Sequence, residues 1–314
     1  MMMKRTFTIA LILFVGIFAL IWVVVAKPLD ASSQKTTVFS VVKGEGSRDI
    51  SYNLEHQGFI SWAPLFRLYA LSIGALHRLQ AGDYELSPAL SMHQIIRKFV
   101  EGDVIKERIT VIEGWSVQDI AKALEEKQLA SADEFIEKFS HLEGYLFPDT
   151  YEIQPSASID TLVERMQDNF KKKTASLEPQ IRQSTKTLND NIIMASLLEK
   201  EVRSLEEKKL VADILWRRLK AGIALQVDAT IAYITGKKTS EISKKETQID
   251  SPYNTYKYRG LPKGPIGNPG LESIIAALEP QNNPYWYYLS KPTGETVFSK
   301  TLEEHNIAKA TYLK

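Results

Sequence analysis

The sequence predicts an α+β protein with an N-terminal transmembrane helix, a small α+β module and a larger mixed α+β domain. Three observations support this fold class. An uncharged apolar run near the N-terminus is long enough to cross a bilayer. A pattern of strand, glycine turn and helix occurs twice in the chain. Helical stretches are interspersed with a few short strands along the rest of the sequence.

The apolar run covers residues 6–26 and follows Lys4 and Arg5. As a helix it spans ~30 Å, the thickness of the hydrocarbon core of a bilayer. The positive charge before it predicts that residues 1–5 lie inside the cell and the rest of the chain outside. The alternative is a cleaved signal peptide, whose apolar region is normally about 7–15 residues long. Because Val24-Val25-Ala26 is a poor cleavage site, the sequence favours an uncleaved anchor.

Composition narrows the classes of function. The 314 residues allow about two domains of ordinary size. With 39 basic and 38 acidic residues, the net charge of +1 lacks the broad positive field of a nucleic-acid-binding protein. The absence of cysteine excludes disulfides, thiol catalysis and cysteine-ligated metals. The five histidines do not have the spacing of a metal site, so we expect no metal and no other cofactor.

After a polar tether at residues 27–37, the repeated pattern begins. Residues 38–54 (VFSVVKGEGSRDISYNL) align with residues 108–124 (RITVIEGWSVQDIAKAL) at an offset of about 70. Each copy predicts a strand, a glycine turn and a helix, with Ser47 and Ser116 as candidate helix caps. A common β-turn-α unit and a true duplication explain the match equally well.

The first copy belongs to a predicted module at residues 38–102. Helices are predicted at residues 62–76 and 91–101, and a short strand at residues 80–86. The order of strand, two helices, strand and helix resembles a LysM-type glycan-binding module. The alternative is a small α+β spacer without a binding role.

A second domain is predicted at residues 103–314. Proline is frequent between residues 252 and 284, so extended loops are expected there. The remaining predicted elements are helices at residues 132–139, 159–173, 191–203, 205–221 and 273–278, and strands at residues 285–290 and 296–299.

The helix at residues 191–203 carries two glutamates on different faces. At about 100° per residue, Glu201 falls on the apolar face close to Leu197, whereas Glu199 falls on the opposite face and is expected to be solvated. Burial disfavours the charged form, so the pKa of Glu201 is expected to lie above the ordinary ~4.3. Such a carboxyl is suited to general acid catalysis. The alternative is a glutamate at the rim of the core that pairs with Arg217 or Arg218.

Two further stretches carry candidate binding residues. Tyr253, Asn254 and Tyr256 lie among prolines and glycines, and aromatic faces with amide and hydroxyl donors suit sugar rings. The alternative is a rigid loop whose tyrosines pack against the core. Gln226 and Asp228 follow a helix that ends at Gly222, and they either line a cleft or cap and turn the chain.

Several motifs, taken in order, resemble the MltG (YceG-like) family of endolytic murein transglycosylases. The resemblance covers nearly the whole chain after residue 26, and it departs from the family pattern only at Val227, Ala229 and Lys263. Its motifs are EGYLFPDTY at residues 143–151, MASLLEKE at 194–201, LQVD at 225–228, YNTY at 253–256 and GLPKGPIGNPG at 260–270.

The resemblance implies cleavage of the β-1,4 bond between N-acetylmuramic acid and N-acetylglucosamine, which leaves 1,6-anhydro ends. It implies Glu201 as general acid and then base, because the muramic C6 hydroxyl is the nucleophile. If a second carboxylate is required instead, Asp149 and Asp228 are the candidates. The expected substrate-binding residues are Glu143, Asp149, Gln226, Asp228, Tyr253, Asn254 and Tyr256.

The resemblance also implies a location and partners. We expect a single-pass protein of the inner (cytoplasmic) membrane, with its catalytic domain in the periplasm and peptidoglycan glycan strands as substrate. Association with peptidoglycan synthases is expected from the family alone. The alternative is a membrane-anchored, non-catalytic peptidoglycan-binding scaffold of the cell-wall machinery.

Overall fold

The computed structural model describes residues 25–155, 157–291 and 293–313. The predicted cytoplasmic residues 1–5 and most of the predicted anchor at residues 6–26 lie outside these ranges. Only Val25 and Ala26 of the anchor are described, and both are helical. Within the described ranges, no helix is both long and apolar enough to cross a membrane.

The chain divides into two units. The first contains the described residues up to Arg108 together with Glu152–Ser158, and the second contains Ile109–Tyr151 and the residues from Ile159 onward. The sequence predicted a division between residues 102 and 103, slightly earlier. The return of Glu152–Ser158 to the first unit is a long-range contact that residue patterns do not reveal.

Two strands and three helices lie wholly within the described residues of the first unit, between residues 37 and 101. Phe39 lies opposite Tyr84 in an antiparallel strand pair, and the Tyr84 ring contacts Phe99 with centroids 4.6 Å apart. These buried rings form the centre of its core. The order of elements agrees with the sequence prediction, while the resemblance to a LysM module stays a prediction. The elements are β1 (Thr37–Val41), α1 (Ser47–His56), α2 (Ala63–Ser72), β2 (Gly82–Leu86) and α3 (Met92–Glu101).

The second copy of the repeated pattern forms β3 (Glu107–Thr110) and α4 (Val117–Glu126). Gly44 and Gly114 both adopt left-handed φ values, of 89° and 82°, so the turn recurs along with the helix. Ser116 caps α4 as predicted. The predicted Ser47 cap is wrong. Ser47 is the first helical residue of α1, as the aligned Val117 is of α4, and Gly46 occupies the cap position of α1 without a side-chain hydrogen bond.

In the second unit, the helices at Leu205–Lys220, Asp228–Thr235 and Leu271–Leu278 pack against one long buried helix, Leu188–Glu201. The elements are α5 (Ala132–Phe139), β4 (Thr150–Ile153), α6 (Ile159–Thr174), α7 (Glu178–Gln183), α8 (Leu188–Glu201), α9 (Leu205–Lys220), α10 (Asp228–Thr235), α11 (Leu271–Leu278), β5 (Tyr287–Ser290), β6 (Thr296–Ser299) and α12 (Leu302–Tyr312). Strand β4 pairs with β3, and β5 pairs antiparallel with β6. Helices α7, α10 and α12 were not predicted from the sequence.

Helix α8 is buried around its whole circumference from residue 191 to 198. The expectation that Glu199 is solvated is therefore wrong, and its side chain is only 8% exposed. It binds Lys208 Nζ of α9 at 2.9 Å, and it accepts hydrogen bonds from Gly270 N at 2.8 Å and Ser273 Oγ at 2.7 Å. The helical wheel assumed one solvated face, whereas residues of α9 and α11 cover that face.

Candidate active site

Glu201 is the last residue of α8, and its side chain is partly buried. Its Oε2 atom accepts a hydrogen bond of 3.0 Å from the Tyr288 hydroxyl of β5. The backbone N–H of Ala229, in the first turn of α10, also donates to the carboxyl. Ser290 Oγ donates to the main-chain oxygen of Glu201 at 3.2 Å, so the end of α8 is tied to β5. Three elements therefore fix the position of this carboxyl.

The electrostatic surroundings of Glu201 favour its neutral form. The pKa of Glu201 is raised from 4.5 to about 7, mainly by burial, and the nearby negative charge of Asp228 acts in the same direction. The hydrogen bonds from Tyr288 and Ala229 oppose this shift, because donors stabilise the carboxylate. A carboxyl with a pKa near 7 is protonated in an appreciable fraction of molecules at neutral pH, so it can both donate and accept a proton.

Asp228 begins α10 and is exposed. The Tyr256 hydroxyl donates a short hydrogen bond to Asp228 Oδ1. Burial and this bond to Asp228 raise the pKa of Tyr256 well above 10, so its hydroxyl stays protonated. Glu201 thus lies beside a second carboxylate that a tyrosine holds in place.

Gln226 precedes α10 in the left-handed region, with φ of 55°. Its backbone N–H donates to Thr255 O at 3.1 Å, and its Oε1 accepts from the Arg218 guanidinium at 3.3 Å. Arg218 is buried and also donates to Ala224 O at 2.7 Å. This orientation of Arg218 directs it to Gln226 rather than into the predicted ion pair with Glu201.

The other candidate partner, Arg217, binds Asp213 Oδ2 at 2.9 Å. Among the residues that the structure describes, Glu201 has no ion-pair partner within reach. The reason is that both arginines are held by groups of α9 and by the segments that follow it. The alternative, in which Glu201 pairs with Arg217 or Arg218, therefore does not agree with the structure.

Asn254 is buried and organises the loop that presents Tyr256. Its Nδ2 donates to Thr247 O at 3.0 Å and Ile249 O at 2.7 Å, and its Oδ1 accepts from Tyr256 N at 2.9 Å. Tyr253 packs against the Tyr233 ring, with centroids 5.0 Å apart. Both of these loop residues therefore contact other parts of the protein.

Glu143 forms a second cluster of buried polar groups. Its carboxylate accepts bonds from Val117 N at 3.1 and 3.2 Å, Tyr233 OH at 3.2 Å and Asn268 Nδ2 at 3.3 Å. Burial raises the pKa of Glu143 to about 7. Asn268 is fully buried, and its Oδ1 accepts from Leu146 N at 2.8 Å. The cluster therefore joins the start of α4, the end of α10 and the proline-rich loop.

Asp149 lies apart from both groups. It is exposed, and its Oδ2 accepts from Asn169 Nδ2 of α6 at 3.0 Å. This bond, with one from Thr150 N, lowers the pKa of Asp149. Lys173 Nζ lies 3.8 Å from Asp149 Oδ2. Of the two candidate second carboxylates, only Asp228 is beside Glu201.

The sequence reasoning missed Tyr288 and gave Arg218 a different role. Tyr288 lies in a predicted strand rich in aromatic residues, and that composition was the only available signal. The strand prediction could not tell which of its tyrosines faces Glu201. Within the described part of the chain, no group of histidine, aspartate and glutamate side chains is arranged to hold a metal ion.

Comparison with known proteins agrees with these features. The YceG-like family profile matches residues 39–311. The endolytic murein transglycosylase of Bacillus subtilis strain 168 is 31% identical over 91% of this chain and 88% of its own length. That of Streptococcus pneumoniae serotype 2 is 28% identical over 89% of this chain, which spans 59% of the pneumococcal protein.

A solved structure gives the same result. The 2.6 Å crystal structure of a yceG-like protein from Listeria monocytogenes superposes with a TM-score of 0.59. The two sequences are 31% identical, and the match covers 88% of this chain and all of the Listeria chain. The chain belongs to the YceG-like family.

Proposed function

We propose that the protein is an endolytic murein transglycosylase that cuts peptidoglycan glycan strands, with Glu201 as its catalytic acid and base. The observation that carries the proposal is the carboxyl of Glu201, held by Tyr288 and Ala229, with a pKa raised to about 7. The names of the Bacillus and Streptococcus relatives support the same reaction class.

In the proposed mechanism, Glu201 protonates the O4 atom of the leaving N-acetylglucosamine as the bond to C1 of N-acetylmuramic acid breaks. The resulting carboxylate then accepts the proton of the muramic C6 hydroxyl, whose oxygen forms a bond to C1. The products are a free 4-hydroxyl and a 1,6-anhydro end, and no water is consumed. One carboxyl that exchanges its proton near neutral pH suffices for both steps.

The neighbouring residues have supporting roles in this proposal. The Asp228 carboxylate stabilises positive charge that develops at C1, and Tyr256 holds it in place. Gln226 and Tyr256 contact sugar rings beside Glu201. Glu143, Tyr253 and Asn254 act indirectly, because their contacts fix the loops around the site. Asp149 is proposed to contact the glycan strand only at a distance from Glu201.

We further propose that residues 6–26 anchor the protein in the cytoplasmic membrane, with residues 27–314 outside. The length and lack of charge of the run support this. An active site tethered close to the bilayer acts on newly made strands, where peptidoglycan synthases are the expected partners. The rival proposal, a non-catalytic scaffold, predicts binding to sacculi without release of fragments.

The experiment is to incubate purified glycan strands with the protein and with Glu201→Gln, and to identify new chain ends by mass spectrometry. Glu206→Gln, at an exposed glutamate of α9, is the matched control and is expected to keep full activity. We expect anhydro ends from the unchanged protein and none from Glu201→Gln. Full activity of Glu201→Gln contradicts the assignment, and reducing ends indicate a hydrolase instead.

A further inference from the structure

Helix α2 of the first unit carries large apolar side chains on both sides. Leu65, Phe66 and Tyr69 are buried in the core. Leu68 and Leu71, on the other side, are 55% and 60% exposed. A helix that covers only its own core normally presents polar residues to water. Among the described residues, none buries this outer side, and we call the exposed apolar surface formed by Leu68 and Leu71 the α2 face.

The two residues that flank α2 in the chain are also apolar and exposed. Trp62, immediately before α2, is 56% exposed, and Ile73, immediately after it, is also exposed. Tryptophan is enriched at the boundary between lipid headgroups and acyl chains, where its ring is apolar and its N–H can bond to water or headgroups. The composition of the α2 face matches that of a helix lying in such a boundary.

The sequence from residue 56 to residue 82 carries positive but no negative charge. Residues 56–82 contain no aspartate or glutamate, although the chain has 38 acidic residues. The stretch contains Arg67 and Arg78, which are exposed. Among the described residues, neither arginine forms an ion pair. Exposed arginines beside an apolar face attract anionic lipid headgroups, and acidic residues would repel them.

The position of residues 25 and 26 indicates what binds the α2 face. Val25, at the end of the apolar run of residues 6–26, is buried in the core that α2 helps to form. Val25 and Ala26 line a cavity of about 400 Å³ together with Tyr69 of α2 and Arg97 of α3. The end of the proposed anchor is thus fixed against the helix that carries the α2 face.

Lys27 to Leu29 continue along the same region. They line a second cavity with Ser61, the residue before Trp62. Because these few residues line a cavity of the first unit, no long linker separates the end of the anchor from α2. A unit held this close to the bilayer has its exposed apolar residues within reach of the headgroup layer.

We infer that the α2 face binds the outer surface of the same membrane, with Trp62, Leu68 and Leu71 at the boundary of the acyl chains and Arg67 and Arg78 at lipid phosphates. The occupant is a bilayer that contains anionic phospholipid. This inference rests on the proposed membrane anchor, and it adds a second membrane contact that would fix the orientation of the first unit on the bilayer surface.

The absence of cysteine makes a site-specific test possible. The full chain with Leu71→Cys is labelled with an environment-sensitive fluorophore and reconstituted into nanodiscs that contain anionic lipid and brominated acyl chains. Ile307→Cys is the matched control, because Ile307 is 61% exposed and lies on α12 of the other unit. We expect blue-shifted, bromolipid-quenched emission at position 71 and unquenched emission at position 307. Replacing Arg67 and Arg78 by glutamine is expected to reduce the quenching.

Equal quenching at both positions, or none at either, overturns the inference. A disulfide-linked dimer of unlabelled Leu71→Cys assigns the face to a second copy and also overturns it. Flotation of the chain with vesicles in alkaline carbonate tests the anchor separately. A chain that does not float contradicts the anchor, whereas a floating chain with an unquenched probe at position 71 contradicts only the α2 contact.

Discussion

The Tyr288 hydroxyl donates a 3.0 Å hydrogen bond to Glu201 Oε2. The bond connects the end of the buried helix α8 with the strand β5, about 90 residues later in the chain. It stabilises the carboxylate against the burial that favours the neutral acid. Tyr288 therefore opposes the rise in the pKa of Glu201.

Tyr288→Phe is expected to shift the pH dependence of activity. Loss of the donor destabilises the carboxylate, so the pKa of Glu201 rises by about one unit, which is the effect of losing roughly 1.4 kcal/mol. The alkaline limb of kcat/KM should move to higher pH by that amount. Tyr287→Phe, on the neighbouring residue that stacks on His305, is the control. An unchanged alkaline limb in Tyr288→Phe would show that this bond does not tune Glu201.

Asp228→Asn tests whether one carboxyl is enough. Removing the adjacent negative charge lowers the pKa of Glu201, so the alkaline limb should move to lower pH by up to about one unit. If Glu201 alone transfers protons, the rate at the pH optimum should fall because charge stabilisation at C1 is lost, but by clearly less than in Glu201→Gln. A loss as large as that of Glu201→Gln would instead assign Asp228 as a second catalytic carboxylate.

Glu201→Gln is expected to stabilise the protein in alkaline solution. The pKa of Glu201 is about 7 in the folded state against 4.5, so the folded state binds the proton more tightly. The stability that this provides is complete below about pH 4.5 and is lost as the pH rises to about 7. Glutamine does not titrate, so the variant should gain up to about 3 kcal/mol over the unchanged protein at pH 8.

Urea unfolding at pH 4.5 and pH 8 measures this difference. The gain at pH 8 should exceed that at pH 4.5, where the carboxyl is mostly protonated in the folded state. The same gain at both pH values would mean that burial does not disfavour the charge of Glu201. Glu206→Gln, at an exposed position, is expected to show no such pH dependence.

Glu199 is expected to be essential for stability. Glu199→Ala leaves Lys208 buried and unpaired, because the Lys208 side chain is only 3% exposed, and this should cost about 3–5 kcal/mol. Adding Lys208→Met removes the unpaired charge and should recover most of the loss. Glu279→Ala, which breaks the more exposed pair with Lys209, is the control and should cost less than about 1 kcal/mol.

Thermal unfolding of the three variants checks this prediction. A loss of stability from Glu199→Ala no larger than that from Glu279→Ala would show that the buried ion pair contributes no more to stability than the exposed one. Comparison with Glu201→Gln then separates the two glutamates of α8. Replacement of Glu199 should affect mainly stability, and replacement of Glu201 mainly activity.

Local patterns in the sequence determined much of this protein. The offset of about 70 predicted the recurring unit, since β-turn-α geometry depends on neighbouring residues and on glycines that tolerate positive φ. Periodicity located most helices, and it set Glu201 on the apolar side of α8, where the structure has it partly buried. Each family motif is likewise a continuous stretch of sequence, so it can be recognised without the structure.

The tertiary structure decided what covers each surface. The wheel could not show that α9 and α11 cover Glu199, because amphipathicity reports composition and not packing partners. Arg218 was expected near Glu201, but its bonds to Ala224 and Gln226 depend on how the chain turns after α9. The sequence by itself thus determined most of the elements and one candidate carboxyl. Only long-range packing decided that Tyr288 and Asp228 surround it, because hydrogen bonds and charge effects depend on distance in space and not on separation along the chain.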